Sequence, residues 1–184
     1  MGEVGRPTVA HLLDHGHDVR VLDLTTETGI DGAEHVKVDV TDFDAVTAAM
    51  DGIEAVLHLA AIRHPGLAPE HRIFHINVGG TFNVFRAAAD AGIKRVVCAS
   101  SINALGYNFG ITFPEDQLQY FPIDEAHPTY TSDPYSFSKQ MIEENGGYFW
   151  RGEGISSVFL PYPAIYDLTD PDAILVRCNH QRNK

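Results

Sequence analysis

Two kinds of hydrophobic pattern alternate along the chain. In "RPTVAHLLDH", Val9, Leu12 and Leu13 recur at three to four positions. That spacing predicts a helix over about 6–15, with Pro7 in its first turn and Gly16 past its end. The second kind is a short apolar run: "DVRVLDL", "HVKVDV" (35–40), "AVLHLAA" (55–61), "RVVCAS" (95–100) and "ISSVFL" (155–160). Runs of this length, rich in branched residues, predict strands. The near-continuous ones at 55–61 and 95–100 suit strands buried on both faces of a parallel sheet. Between them, "TDFDAVTAAMDG" predicts a short helix capped by Thr41 and stopped by Gly52. A longer helical stretch runs from about Glu70 to Ala91 and ends at Gly92. "YSFSKQMIEENGGYFW" predicts a helix up to about Asn145, where two glycines interrupt it. Residues 102–134 read as irregular.

Helices that alternate with strands need crossover connections. The expected class is therefore α/β, a doubly wound parallel sheet of Rossmann type. At 184 residues, 44% of them hydrophobic and 21% charged, the chain fits one globular domain. A formal net charge of −12 argues against nucleic acid, which needs a basic face. No apolar run reaches the roughly 20 residues of a membrane span, and no signal segment opens the chain, so a cytoplasmic location away from membranes is expected. Cys98 and Cys178 make no disulfide framework, and Cys98 reads as a small core residue.

Candidate chemistry begins at "GEVG". Gly2 and Gly5 directly precede the first helix, where glycines let a backbone approach a pyrophosphate on the helix N-terminus. Asp23 ends the next strand about twenty residues on, where a carboxylate accepts from a ribose hydroxyl and repels a 2′-phosphate; this favours NAD over NADP. The alternative is a helix start flanked by glycines with no ligand. Downstream, Tyr135 and Lys139 in "DPYSFSKQ" stand four apart, on one helix face. "ASS" lies at the end of the buried strand 95–100, where a parallel sheet places active-site loops. His71 and His75 read as surface histidines, and no metal site is expected.

With "GEVG", "VLDL", "VDVTD", "VLHLAA", "NVGGTFNVFRAA", "RVVCASSINALG" and "DPYSFSK" in this order, the sequence resembles the extended short-chain dehydrogenase/reductases, the NAD-dependent epimerase/dehydratase group. The resemblance implies NAD as cofactor, held by Gly2, Gly5, Asp23, the adenine-contacting pair Asp39 and Val40, the strand-end segment Leu59, Ala60 and Ala61, and Lys139. It implies Ser101, Tyr135, Lys139 and Asn77 as catalytic residues. Tyr135 would carry a proton while hydride moves, Lys139 would favour its phenolate, and Ser101 would orient the substrate oxygen. A small-molecule sugar substrate follows, a nucleotide sugar or a sugar acid, for epimerisation or dehydrogenation. Dehydratases carry an acid beside the serine, where this chain has Ile102 and Asn103. Family members also pair two long helices, here 70–91 and 135–145, into a four-helix homodimer.

The sequence departs from the family pattern at three places. The family's first strand and first glycine have no counterpart, so the neighbours of that strand are expected to face a gap. The substrate-binding region is lacking too: 1–166 reads as an incomplete cofactor domain and 167–184 as a tail that opens such a region. Pro161 stands where the family often has arginine, in what reads as a stiff cofactor-side loop. A catalytically inactive NAD-binding module, or a truncated remnant of the enzyme, remains the alternative function.

Overall fold

A computed structural model describes residues 1–27, 29–106, 119–163 and 165. Cys178, the tail 167–184 and most of the aromatic stretch after Gly106 lie outside the described residues. All strand pairing is parallel. β1 (Arg20–Asp23) pairs with β2 (Glu34–Lys37), Arg20 opposite Glu34. β3 (Val56–His58), β4 (Arg95–Ser101) and β5 (Ser156–Tyr162) form a second sheet in that order, with β4 central. Among the described residues no strand is bonded between β1 and β3, where the resemblance leads one to expect a gap.

Helix α1 (Gly5–Asp14) precedes β1, and α2 (Phe43–Ala48), α3 (Glu70–Phe74), α4 (Gly80–Asp90) and α5 (Pro134–Glu153) lie in the connections between β2, β3, β4 and β5. The main core lies where α2, α4 and α5 meet β4: Val46, Phe85, Val96, Cys98, Ile142, Phe149 and Ile155 are all buried there. The Phe85 and Phe149 rings stack at 5.2 Å. At the rim Arg86 ties α4 to the end of α5, reaching Asp90 at 2.7 Å and Glu153 at 2.5 Å.

Four local expectations need correction. The cap of α2 is Asp42, whose carboxylate accepts from Ala45 N–H at 3.1 Å; Thr41 is turned back onto Asp39. The stretch 70–91 is not one regular helix, because a wide π turn (His75–Gly79) separates α3 from α4. α5 does not stop near Asn145 but runs to Glu153 and closes on Gly154, at φ 65°. Gly146 lies inside it because any Cβ there would run into the Phe159 ring and come 2.8 Å from Ser157 Oγ. Pro161 lies in strand β5, opposite Ser100, rather than in a loop. Among the described residues β5 is an edge strand, which tolerates a residue without an N–H.

Candidate active site

The end of β4 and the first turns of α5 build the site. Asp133 caps α5, accepting from Tyr135 N–H at 3.0 Å and Ser136 N–H at 2.9 Å, with Pro134 preset for the first turn. The cap fixes where Tyr135 and Lys139 point. Both are buried, at 7% and 4% exposure. The Ser101 hydroxyl faces the Tyr135 phenol closely enough to favour its ionised form. Lys139 Nζ donates to the Ala99 carbonyl at 2.7 Å and lies 5.8 Å from the Tyr135 ring centroid. Ser101, Tyr135 and Lys139 therefore converge at the carboxyl end of the sheet. Two residues past Ser101, Asn103 Oδ1 is buried without a hydrogen-bond donor.

Burial dominates the electrostatics. It lowers the Lys139 ammonium to about 8, against the pull of Cys98 and Glu143. It also pushes the Tyr135 phenol above its ordinary value; the Ser101 hydroxyl opposes that and Asp133 adds to it. The sequence reading expects the lysine to favour the phenolate. In the structure burial outweighs any such help, and the phenol is held above its ordinary value. The Cys98 thiol is pushed up to about 12 by burial, which leaves it an inert core group.

Asn77 sits in the π turn, fully buried. Its Oδ1 accepts from Ile62 N–H at 2.7 Å, and its Nδ2 donates to Ile62 O and Ser138 Oγ, each at 2.9 Å. Both amide protons are thus engaged in joining the segment after β3 to α5. The Thr81 hydroxyl donates to Asn77 O at 2.5 Å and so accepts from His58 Nε2, 2.9 Å away. Burial lowers His58 to about 4 and keeps the ring neutral, with the Lys139 charge adding to the effect. An unfolded histidine binds its proton near 6.5, so between pH 6.5 and 4 the unfolded chain holds the extra proton. Stability present above pH 6.5 is lost as pH falls through that window, about 3 kcal/mol in all. Urea midpoints at pH 4.5 and 6.5 check this: the acid loss should shrink in His58→Gln, and an unchanged loss would assign it elsewhere.

The cofactor-side residues gather around the start of α1. Gly5 is buried at its first position; a Cβ there would lie 2.9 Å from Met1 Cγ and 3.8 Å from Leu59 Cδ1. Gly2 is exposed, with open space around it. α1 has no side-chain cap and no acid in its first turn. Asp23, at the end of β1, accepts from Thr25 N–H at 3.3 Å. Leu59, Ala60 and Ala61 follow β3 directly, and Arg63 pairs with Glu3 at 2.9 Å, joining that segment to the glycine turn. Asp39 is exposed, and its two bonds from Thr41 hold its carboxyl below the usual range. Val40 is half-buried: its side chain presses on Gly80, and its carbonyl accepts from Asn83. A glycine-lined, uncapped helix start beside a donor-seeking carboxylate fits a dinucleotide.

Three residues that the sequence reading did not single out join the site. Ser100 Oγ donates to Glu143, which stands one helical turn beyond Lys139. His58 anchors the π turn through Thr81. Glu143 was within reach of the spacing rule that found Lys139, applied once more. His58 had no local signal.

A model of the NAD dependent epimerase/dehydratase family matches residues 1–171. Among curated proteins, an NAD-dependent glucose-6-phosphate dehydrogenase of Haloferax volcanii is 35% identical, over 85% of this chain and 63% of its own. An L-arabinose 1-dehydrogenase (NAD(P)(+)) of the same organism is 36% identical, over 84% and 60%. The chain therefore spans somewhat under two thirds of these relatives' length. Among solved structures, a short-chain dehydrogenase/reductase superfamily protein from Agrobacterium tumefaciens with bound NAD superposes with a TM-score of 0.77 at 32% identity, over 99% of this chain and 56% of that one. A Thermotoga maritima UDP-glucose 4-epimerase shares the fold, with a TM-score of 0.76 at 21% identity, over 90% and 53%. The chain belongs to the NAD dependent epimerase/dehydratase family.

Proposed function

We propose that this chain carries the proton- and hydride-transfer centre of an NAD-dependent sugar dehydrogenase or epimerase, acting on a sugar, sugar acid or nucleotide sugar. The observation that carries this reading is the convergence of buried Ser101, Tyr135 and Lys139 at the carboxyl end of β4, with the Lys139 ammonium bonded to Ala99 O and 5.8 Å from the Tyr135 ring. Gly2, Gly5 and the start of α1 would hold the pyrophosphate, Asp23 the adenosine ribose, Asp39 and Val40 the adenine, and Leu59–Ala61 and Lys139 the nicotinamide half. When bound, NAD supplies the hydride acceptor. The chain's own residues do the rest. Ser101 holds the substrate oxygen, Tyr135 takes its proton, and Lys139 supplies positive charge beside the phenol as it ionises. Asn77 acts by fixing the segment after β3 against α5. A dehydratase reading is disfavoured, because Ile102 and Asn103 supply no acid beside Ser101.

The test is NADH formation by the purified chain with glucose 6-phosphate, L-arabinose and UDP-glucose, next to a titration of NAD alone. The proposal expects binding and turnover of at least one sugar. Binding without turnover on any of the three would make the chain an NAD-binding module, and absence of binding would overturn the cofactor reading. We further infer a homodimer through the faces of α3–α4 and α5. Phe74 stacks on Phe137 at 5.6 Å, and Phe82 lies against Tyr148 at 6.0 Å; all four rings are exposed, as is Trp150. Exposed aromatic surface of this extent is typical of an interface, and sedimentation equilibrium reads the assembly directly, a purely monomeric chain counting against it.

A further inference from the structure

One half-buried carboxylate at the site has no part in the proton transfer just described. Glu143 lies on α5 one turn beyond Lys139 and two beyond Tyr135, and it is half-buried. Its Oε1 accepts from Ser100 Oγ, itself 3% exposed. Two consecutive residues of β4 are thereby held by two successive turns of one helix, Ala99 by Lys139 and Ser100 by Glu143, and the next residue, Ser101, faces Tyr135 on the turn before. A strand end gripped in this way sets the height of the Ser101 hydroxyl against the phenol. A carboxylate kept from water also needs compensation, and here the compensation is the Ser100 hydroxyl and the neighbouring Lys139 ammonium.

We propose that Glu143 is a positioning residue of this centre: through Ser100 it locks the end of β4 onto α5, and from one turn away it serves as counter-charge to Lys139. The inference rests on the reading of Tyr135 and Lys139 as the proton-transfer pair. Its electrostatic surroundings are defined. Facing Lys139 are Tyr135 and Glu143 on its own helix, Cys98 from β4 and His58 from β3. Facing Glu143 are Lys139, Ser100 and Glu144. Cys98 and Glu143 both hold the Lys139 charge up against burial, and Glu143 is the one carried on the same helix. Burial raises the Glu143 carboxyl, and the Ser100 hydrogen bond and Lys139 hold it down. The three groups thus support one another's charge states.

The test uses the full chain and needs neither NAD nor sugar, so it is independent of whether any sugar is turned over. The pH titration of the Lys139 side chain is followed by NMR in the parent chain, in Glu143→Gln and in Glu143→Asp. Glutamine keeps an oxygen for Ser100 to donate to but removes the charge. It should move the Lys139 midpoint down from near 8 by about one unit. Aspartate restores the charge and should return the midpoint toward that of the parent. A third variant, Glu143→Ala, removes both functions and should speed amide exchange at residues 99–101, which the glutamine variant should leave slow. A Lys139 midpoint that stays put in folded Glu143→Gln overturns the counter-charge role. Equal exchange in the alanine and glutamine variants overturns the lock. If Glu143→Gln does not fold, the other two variants decide: exchange at residues 99–101 that stays parental in Glu143→Asp, whose shorter side chain falls short of Ser100, overturns the lock, and an unmoved Lys139 midpoint in Glu143→Ala overturns the counter-charge role.

Discussion

Replacing Tyr135 with phenylalanine lowers sugar-dependent NADH formation by about a thousandfold and leaves NAD binding within twofold, the scale expected when one positioned acid–base group is removed. The substitution is well isolated. Phenylalanine fills the same buried volume, so the packing of the first turns of α5 against β4 survives. Lys139 keeps its bond to Ala99 O, and its charge still lies over an aromatic ring. What disappears is one hydroxyl and its polar contact with Ser101, a change expected to cost at most about 1 kcal/mol of stability. Binding and stability thus report an intact fold while turnover reports the proton. The parent adds a second signature. Its phenol is held above the ordinary value by burial, so the ionised form that accepts the substrate proton becomes more abundant as pH rises. The rate of oxidation should climb through the neutral range in the parent and lose that climb in Tyr135→Phe. A variant within tenfold of the parent would remove Tyr135 from the role of proton carrier.

How much of this centre the sequence shows depends on how local each signal is. The strand around Val96 and Cys98 is legible because a parallel strand covered on both faces needs a nearly continuous apolar run, and the one around Val21 because Val19 and Val21 alternate with polar residues. Tyr135 and Lys139 are legible because a helix converts a separation of four into a shared face. The far end of α5 is not. Two glycines in a row ordinarily weaken a helix, and the reason for Gly146 lies with Phe159, a partner thirteen residues along on another element. The bond from Ser100 to Glu143 spans 43 positions and that from His58 to Thr81 spans 23, and nothing in either neighbourhood announces them. Asn77 is intermediate. Its residue type marks it, but only the fold shows that its amide is engaged by Ile62 and Ser138. The π turn that aims it is equally hidden, because the same apolar spacing suits a regular helix.

Gly106→Ala should cost roughly 2–4 kcal/mol, the largest stability loss expected from a single added methyl near this site. Two separate penalties meet there. Gly106 closes the short turn after Ser101 at φ 93°, with its N–H donating to Asn103 O at 2.8 Å; an L side chain in that conformation loses about 1 kcal/mol. In addition, a Cβ would run into the backbone carbonyl of Tyr130 and come 2.7 Å from Thr131 N. Backbone cannot rotate aside as a side chain can. Tyr130 N–H is already bound to Leu105 O at 3.0 Å and Thr131 Oγ1 to Gln140 at 2.8 Å, so the displacement is passed to the start of α5, where Asp133 sets the direction of Tyr135. Gly92→Ala supplies the control. Gly92 has φ 76° and nothing within 4 Å of a built Cβ, so it carries the conformational penalty alone. Urea unfolding of both variants at one pH separates the terms: Gly106→Ala should lose more than Gly92→Ala by the cost of the contact with Tyr130. Equal losses would mean that this segment yields freely, and the turn after Ser101 would then have no part in fixing the phenol against the serine.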